Sequence, residues 1–214
     1  METSEKQITY TSTNSYSYLN GLSEKTKNVW LVFHGIGYLS RYFLKYFNEL
    51  PSEENYIIAP QAPSKYYLNN QYKHVGASWL TKESTVQEME NLHGYINAVF
   101  KAEKIPPHCN LIVFGFSQGV SIASRWVAKN KIECNQLILY AGGIPNELTS
   151  SDFDFLEEKT SVTVIMGDKD EYLTEERLRT EKQKIEILFK GKAKQITFDG
   201  GHEVKKEIVN SLVK

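Results

Sequence analysis

The sequence predicts a mostly parallel, doubly wound α/β sheet with helices on both faces. Three observations predict it. Short continuous apolar runs recur along the chain and stop abruptly at Gly or Pro, as in NVWLVFHG (28–35), YIIAP (56–60) and NLIVFG (110–115). Runs without polar alternation suit strands buried on both faces, the condition of a parallel sheet. After residue 28 these runs alternate with segments of helical spacing, the order of successive βαβ units. Internal repeats, charge blocks and low-complexity stretches are absent, so residues 1–214 read as one domain. Right-handed crossovers then make an open sandwich, in which ligands sit beyond the carboxyl ends of the strands.

The elements follow in order. KQITYTSTNSYSYLNG, rich in Thr, Tyr and Ser with loose alternation, predicts one or two antiparallel strands at a sheet edge. The run at 28–35 is the first buried strand, and YFLKYFNEL (42–50) has helical spacing. YIIAP is a second short strand, stopped by Pro60. Gln61 to Leu80 shows no period and reads as a long loop, a feature that is uncommon in compact domains and often functional. Ser84 and Thr85 each precede Gln or Glu by three residues (Gln87, Glu88), a capping-box signature. Val86, Met89, Leu92, Ile96 and Phe100 then place an amphipathic helix over 85–103. NLIVFG is the third strand and VSIASRWVAKN (120–130) a helix. QLILYAG (136–142) and SVTVIMG (161–167) are the fourth and fifth strands. The charged helix 174–190, the strand KQITFDGGH (194–202) and the helix EVKKEIVNSLVK complete the chain.

Bulk properties exclude several function classes. The net charge of −1 offers no basic surface for nucleic acid or anionic lipid. No apolar run is long enough to span a bilayer, so no stable membrane insertion is expected. METSEKQITY lacks the basic-then-apolar pattern of a secretion signal, which makes the cytoplasm the expected location. Cys109 and Cys134 have no paired spacing with His or Cys, so neither a zinc site nor a needed disulfide is indicated.

One short motif carries chemistry. Gly115-Phe116-Ser117-Gln118-Gly119 follows a strand directly and precedes a helix directly, the context of a Gly-x-Ser-x-Gly nucleophile elbow. The turn is so tight that side chains two residues to either side of the serine would collide with the neighbouring strand and helix; glycines remove that crowding. The plain alternative is a tight strand–helix turn whose glycines serve only packing. A serine needs a base. Among five histidines, His202 in DGGHEV lies just after the last strand, at the same end of the sheet as Ser117. His34 precedes GIG, a stretch suited to backbone work; His74 falls in the long loop, His93 in a helix, and His108 before a strand at the opposite end. The base needs an orienting carboxylate. Asp168, Asp170 and Glu171 all lie just past the fifth strand; Ser117, Asp170, His202 obeys the chain order of such hydrolases, with Asp168 the main competitor. Asp199 is too close in sequence to His202 to reach around its ring. Oxyanion donors are expected from the N–H of Gln118 and, in HGIG, of Ile36.

Taken together, FHGIG, APQAP, SWL, GFSQG, GDKD and GGHEV resemble the phospholipase/carboxylesterase group of α/β-hydrolases, from about residue 28 to the end of the chain. That group comprises small carboxylesterases, lysophospholipases and acyl-protein thioesterases. The resemblance implies an α/β-hydrolase fold without a large lid domain, and a catalytic set of Ser117, Asp170 and His202. It implies Ile36 and Gln118 as oxyanion donors and suggests that Trp79 lies near the acyl pocket; Tyr38, which follows HGIG where the family usually has an acidic or small residue, is the other expected substrate-binding residue. It implies a small-molecule ester as substrate and neither a metal nor an organic cofactor. Tyr66, Tyr67, Tyr72 and Trp79 are the aromatic residues expected at the rim of an open site. The sequence offers no expectation about oligomeric state.

Overall fold

A computed structural model describes residues 3–156 and 159–213. Its centre is a seven-stranded sheet in the order β1-β3-β2-β6-β7-β8-β9. The strands are β1 (Tyr16–Leu19), β2 (Asn28–Phe33), β3 (Asn55–Pro60), β6 (Asn110–Phe116), β7 (Gln136–Tyr140), β8 (Ser161–Gly167) and β9 (Lys194–Phe198). Only β1 runs antiparallel, against β3, at the edge. The helices are α1 (Ser40–Phe43), α2 (Thr85–Ala102), α3 (Gln118–Asn130), α4 (Glu175–Phe189) and α5 (Lys206–Ser211).

The apolar runs are strands with both faces covered. In β2, Val29, Leu31 and Phe33 enter one core while Trp30 enters the other with Val32. β6 divides the same way, Leu111 and Val113 against Ile112, Phe114 and Phe116. The period of two sends alternate side chains to opposite faces, so a run that alternates in direction need not alternate in polarity. One core lies under Leu92, Ile96, Trp126 and Leu188 from α2, α3 and α4. The other lies under Phe43, Phe47 and Val209.

Winding leads from β2 outward to β3 and then jumps back across β2 to β6. The direction of winding therefore reverses between β2 and β6, and in open α/β sheets the crevice at such a point is where ligands bind. His34-Gly35-Ile36 leaves β2 there and Ser117 leaves β6.

Four expectations need correction. The stretch 61–80 is not all loop: β4 (Ser64–Tyr67) and β5 (Val75–Ser78) form a separate antiparallel hairpin. Every residue of β4 is exposed, so no buried face imposes a readable alternation. Residues 42–50 hold only the end of the one-turn α1, Ser40–Phe43, and a 3-10 turn, Leu44–Phe47. Phe43, Leu44, Phe47 and Leu50 all bury, so packing rather than helix propensity sets this path. The capping box at Ser84 does not form: the residue is left-handed, with φ 48°, and its side chain caps nothing. Thr85 instead donates its hydroxyl to the Thr81 carbonyl at 3.0 Å. The closing helix is also shorter than 203–214, spanning Lys206–Ser211.

Candidate active site

Ser117 is the only residue between β6 and α3, which begins at Gln118 rather than at residue 120. Turning a strand into a helix over one residue forces φ 54° and ψ −119°, a conformation costly to a side chain by about 1–3 kcal/mol. The flanking glycines are explained by contact. A Cβ on Gly119 would stand 2.0 Å from the Phe33 carbonyl oxygen, and one on Gly115 would stand 2.5 Å from the Gly119 oxygen. The Ser117 N–H donates to Tyr140 O at 2.9 Å, tying the elbow to the end of β7. The side chain is left at the surface of a cleft of about 450 Å³.

The turns after β8 and β9 meet it there. His202 Nε2 lies 2.8 Å from Ser117 Oγ, and Nδ1 lies 2.7 Å from Asp170 Oδ2. A carboxylate oxygen can only accept, so Nδ1 carries the proton and Nε2 presents its lone pair to the serine hydroxyl. Asp170 Oδ1 accepts from the Tyr172 N–H at 2.9 Å, which fixes the carboxylate in the plane it needs. The Asp170 side chain is 1 % exposed and that of His202 17 %. Rings hold the imidazole on two sides: Tyr172 edge-on at 4.8 Å and Phe116 at 5.2 Å between centroids.

Two competing carboxylates, Asp168 and Asp199, are engaged elsewhere. Asp168 Oδ1 accepts from the Gly200 N–H at 3.0 Å, and Asp199 pairs with Lys169. Asp168 N–H donates to Phe198 O and Lys169 N–H to Gly200 O, both at 2.9 Å. Asp168 thus stitches the acid turn to the histidine turn, while Asp170 faces the ring. Of the other histidines, His34 is fully buried, donating Nδ1–H to Gly35 O at 2.8 Å and accepting the Ala62 N–H at Nε2 at 3.2 Å. Burial pushes its pKa down to about 4, so it stays neutral as a framework residue.

Ile36 and Tyr38 line the cleft with Ser117 and Gln118. Ile36 is 53 % exposed, and neither its N–H nor that of Gln118 has an acceptor among the described residues. Gly37, at φ 85°, donates its N–H to Ala77 O at 2.9 Å and so anchors this loop to the hairpin. Tyr38 bonds Tyr46 hydroxyl to hydroxyl at 2.9 Å and packs edge-on against Phe116 at 6.1 Å. Desolvation raises its pKa to about 12, so it presents a neutral ring.

Trp79 is not where a rim residue would be. It is fully buried and absent from the cleft wall. Its indole N–H donates to His34 O at 2.8 Å and its backbone N–H to Gln118 Oε1 at 2.8 Å. Gln118 Nε2 completes the clamp on Leu80 O at 2.7 Å. Trp79 therefore connects the Ile36 loop to the elbow from beneath. Tyr66, Tyr67 and Tyr72 are exposed on the hairpin and do not line the cleft either. The sequence reading missed Gly142, Gly143, Tyr172 and Arg177, which do. The Gly pair closing the fourth predicted strand was a usable signal, since a Cβ on Gly142 would strike Ser117 O at 2.2 Å.

A family model described as phospholipase/carboxylesterase matches residues 19–214. The chain belongs to the phospholipase/carboxylesterase family. Membership supports a hydrolase of the esterase or thioesterase type. No curated protein sequence matches the chain significantly. Solved structures share the fold. Zea mays acyl-protein thioesterase 2 superposes with TM-score 0.67 at 13 % identity, over 94 % of this chain and 96 % of that one. A Dyadobacter fermentans phospholipase/carboxylesterase gives 0.64 at 22 %, over 95 % and 97 %. The Bacillus cereus carboxylesterase gives 0.64 at 17 %, over 93 % and 91 %. As in the family's α/β-hydrolase architecture, the sheet is mostly parallel with helices on both faces, and no large lid is present among the described residues. Among the described residues, no helix is long and apolar enough to cross a membrane.

Proposed function

We propose that this family member is a serine carboxylesterase that cleaves acyl esters of short to medium chain through an acyl-enzyme. The hydrogen-bonded chain from Ser117 Oγ through His202 to Asp170 carries the reading. His202 Nε2 takes the hydroxyl proton as Oγ attacks the ester carbonyl. Asp170 holds the Nδ1–H tautomer and stabilises the imidazolium that forms. The N–H groups of Ile36 and Gln118 receive the oxyanion, and α3 begins at the same point with its positive end. The imidazolium returns its proton to the leaving alkoxide as the tetrahedral intermediate collapses. Water, deprotonated by the same histidine, then attacks the acyl-enzyme and releases the acid.

Ile36, Tyr38, Phe116 and Leu173 give the cleft apolar walls for an acyl chain, and its volume of about 450 Å³ falls in the small-ligand range. Turnover of p-nitrophenyl acetate and butyrate, with Ser117→Ala beside the parent, tests the reaction. The expected loss in kcat is ~10⁶-fold, as for removal of a nucleophile that works as part of a unit. Equal turnover by the two proteins, or no labelling of Ser117 by a fluorophosphonate, would end the reading. An ester and thioester series from acetyl to palmitoyl tests chain length: a maximum at the long end, or on thioesters, would replace the carboxylesterase assignment with a thioesterase or lysophospholipase.

A further inference from the structure

We propose that Arg177 makes this cleft a receptor for anionic esters, binding a carboxylate carried by the substrate away from its scissile carbonyl. The inference rests on the serine-hydrolase reading and names the substrate class of the same site. Arg177 is the only lysine or arginine in the lining of the cleft that holds Ser117 and His202. Its Nη1 donates to the Tyr172 carbonyl at 3.0 Å, which fixes the guanidinium to the loop carrying Asp170. Its Nη2 and Glu181 Oε1 each lie 3.4 Å from where a Cβ on Gly143 would stand, so the bare glycine leaves space between the guanidinium and that carboxylate.

The nearby carboxylates are already taken. Glu181, one turn along α4 and also in the cleft lining, pairs with Lys184 at 3.1 Å and accepts the Ile144 N–H at 3.2 Å. Both side chains of that pair are mostly buried. Arg125, whose Nη1 donates to the cleft residue Ser121 at 2.5 Å, pairs with Glu147 at 2.6 Å. Asp170 is committed to His202 and the Tyr172 N–H. No ion pair among the described residues involves Arg177: Glu181, the carboxylate that shares the Gly143 position with it, gives its short contacts to Lys184 and the Ile144 N–H instead. α4 starts at Glu175, so Arg177 stands in its first turn, where a cation opposes the macrodipole. A guanidinium with one nitrogen anchored still offers its remaining donors as a fork to a carboxylate. The rest of the lining at Ile36, Tyr38 and Phe116 is apolar, which suits the carbon skeleton joining that carboxylate to the ester.

The test compares matched neutral and anionic esters. One pair places the charge on the acyl side, p-nitrophenyl pentanoate against the p-nitrophenyl hemiester of adipic acid. The other places it on the alcohol side, methyl para-acetoxybenzoate against para-acetoxybenzoate. In the parent, kcat/KM for at least one anionic ester should exceed that of its neutral partner, and the ratio should fall as salt is raised. Arg177→Ala should lower that ratio roughly tenfold or more, the effect expected of losing a charge-assisted hydrogen bond. Arg177→Lys should restore part of it. Arg179→Ala, on the same helix but outside the lining, should leave it alone. Ratios unmoved by Arg177→Ala in both pairs, with neutral esters still cleaved and Ser117 still labelled, would overturn this inference alone. No turnover of any ester and no labelling would overturn the hydrolase reading, and this inference with it.

Discussion

The turn after β6 and the turns after β8 and β9 bring their side chains to one cleft by opposite means. The serine turn is local: one residue joins strand to helix, and its geometry is enforced by carbonyl oxygens that admit only glycine at 115 and 119. The acid and histidine turns are non-local. Asp168 and Gly200, thirty-two residues apart, are joined by a carboxylate–amide bond, and Asp170 meets His202 over the same separation. A local device is built into backbone sterics and tolerates little. A stitched device can lose its chemistry while keeping its fold, because its parts are held by different bonds.

Substitutions can break or sharpen that contrast. After the nucleophile itself, Asp170→Asn should have the largest kinetic effect. An amide in place of the carboxylate can donate to Nδ1 and so reverse the tautomer, and kcat should fall ~10⁴-fold. The melting temperature should stay within a few degrees of the parent; a large drop would show that the acid turn is as structural as the elbow. Gly119→Ala should act in the reverse sense. With a methyl forced to 2.0 Å from Phe33 O, stability should fall by about 4 kcal/mol or more, read by urea denaturation, and activity should go with it. A folded, active alanine variant would refute the steric account of the elbow.

Gln118→Ala tests the clamp between the two sides. It leaves the Trp79 N–H without its partner and the Leu80 carbonyl with only the Ser78 hydroxyl, at a cost of about 1–3 kcal/mol in urea melts. If the clamp positions Ile36, kcat should fall more than KM rises. His34 gives a pH signature. Its folded pKa of about 4 lies below the unfolded 6.5, so the unfolded chain binds the extra proton between those values. The stabilisation is complete above about pH 6.5 and is lost as pH falls toward about pH 4. Near pH 5 the parent should have lost about 2 kcal/mol that His34→Gln does not lose, measured by denaturant midpoints. Asp168→Ala should have the smallest effect, about 1 kcal/mol of stability for one lost bond to Gly200, with a modest fall in kcat.

Much of the fold was legible because both faces of the sheet are covered. The runs at 28–35, 110–115, 136–142 and 161–167 read as buried strands and are β2, β6, β7 and β8. Hairpin β4–β5 was illegible for the converse reason: β4 is exposed throughout, and its strands are fixed by pairing to each other and by Gly37 bonding to Ala77. Trp79 misled because an aromatic residue next to a motif carries no mark of depth; only the tertiary structure puts its indole beneath the site on His34 O. Arg177 and Tyr172 read as ordinary members of a charged helix and its approach. Nothing local says that they border a cleft with Gly143.

The amino-acid order by itself determined the buried strands, the one-residue turn at Ser117 and the shared end of the sheet to which Ser117, Asp170 and His202 belong. Apolar periodicity and glycine sterics act over a few residues and are written in neighbouring letters. Only the tertiary structure decided which aspartate faces the ring, which tryptophan lies below the floor and which arginine borders the cleft. Those choices depend on hydrogen bonds and ion pairs across tens of residues, where a partner is fixed by the packing of the sheet and not by its place in the chain.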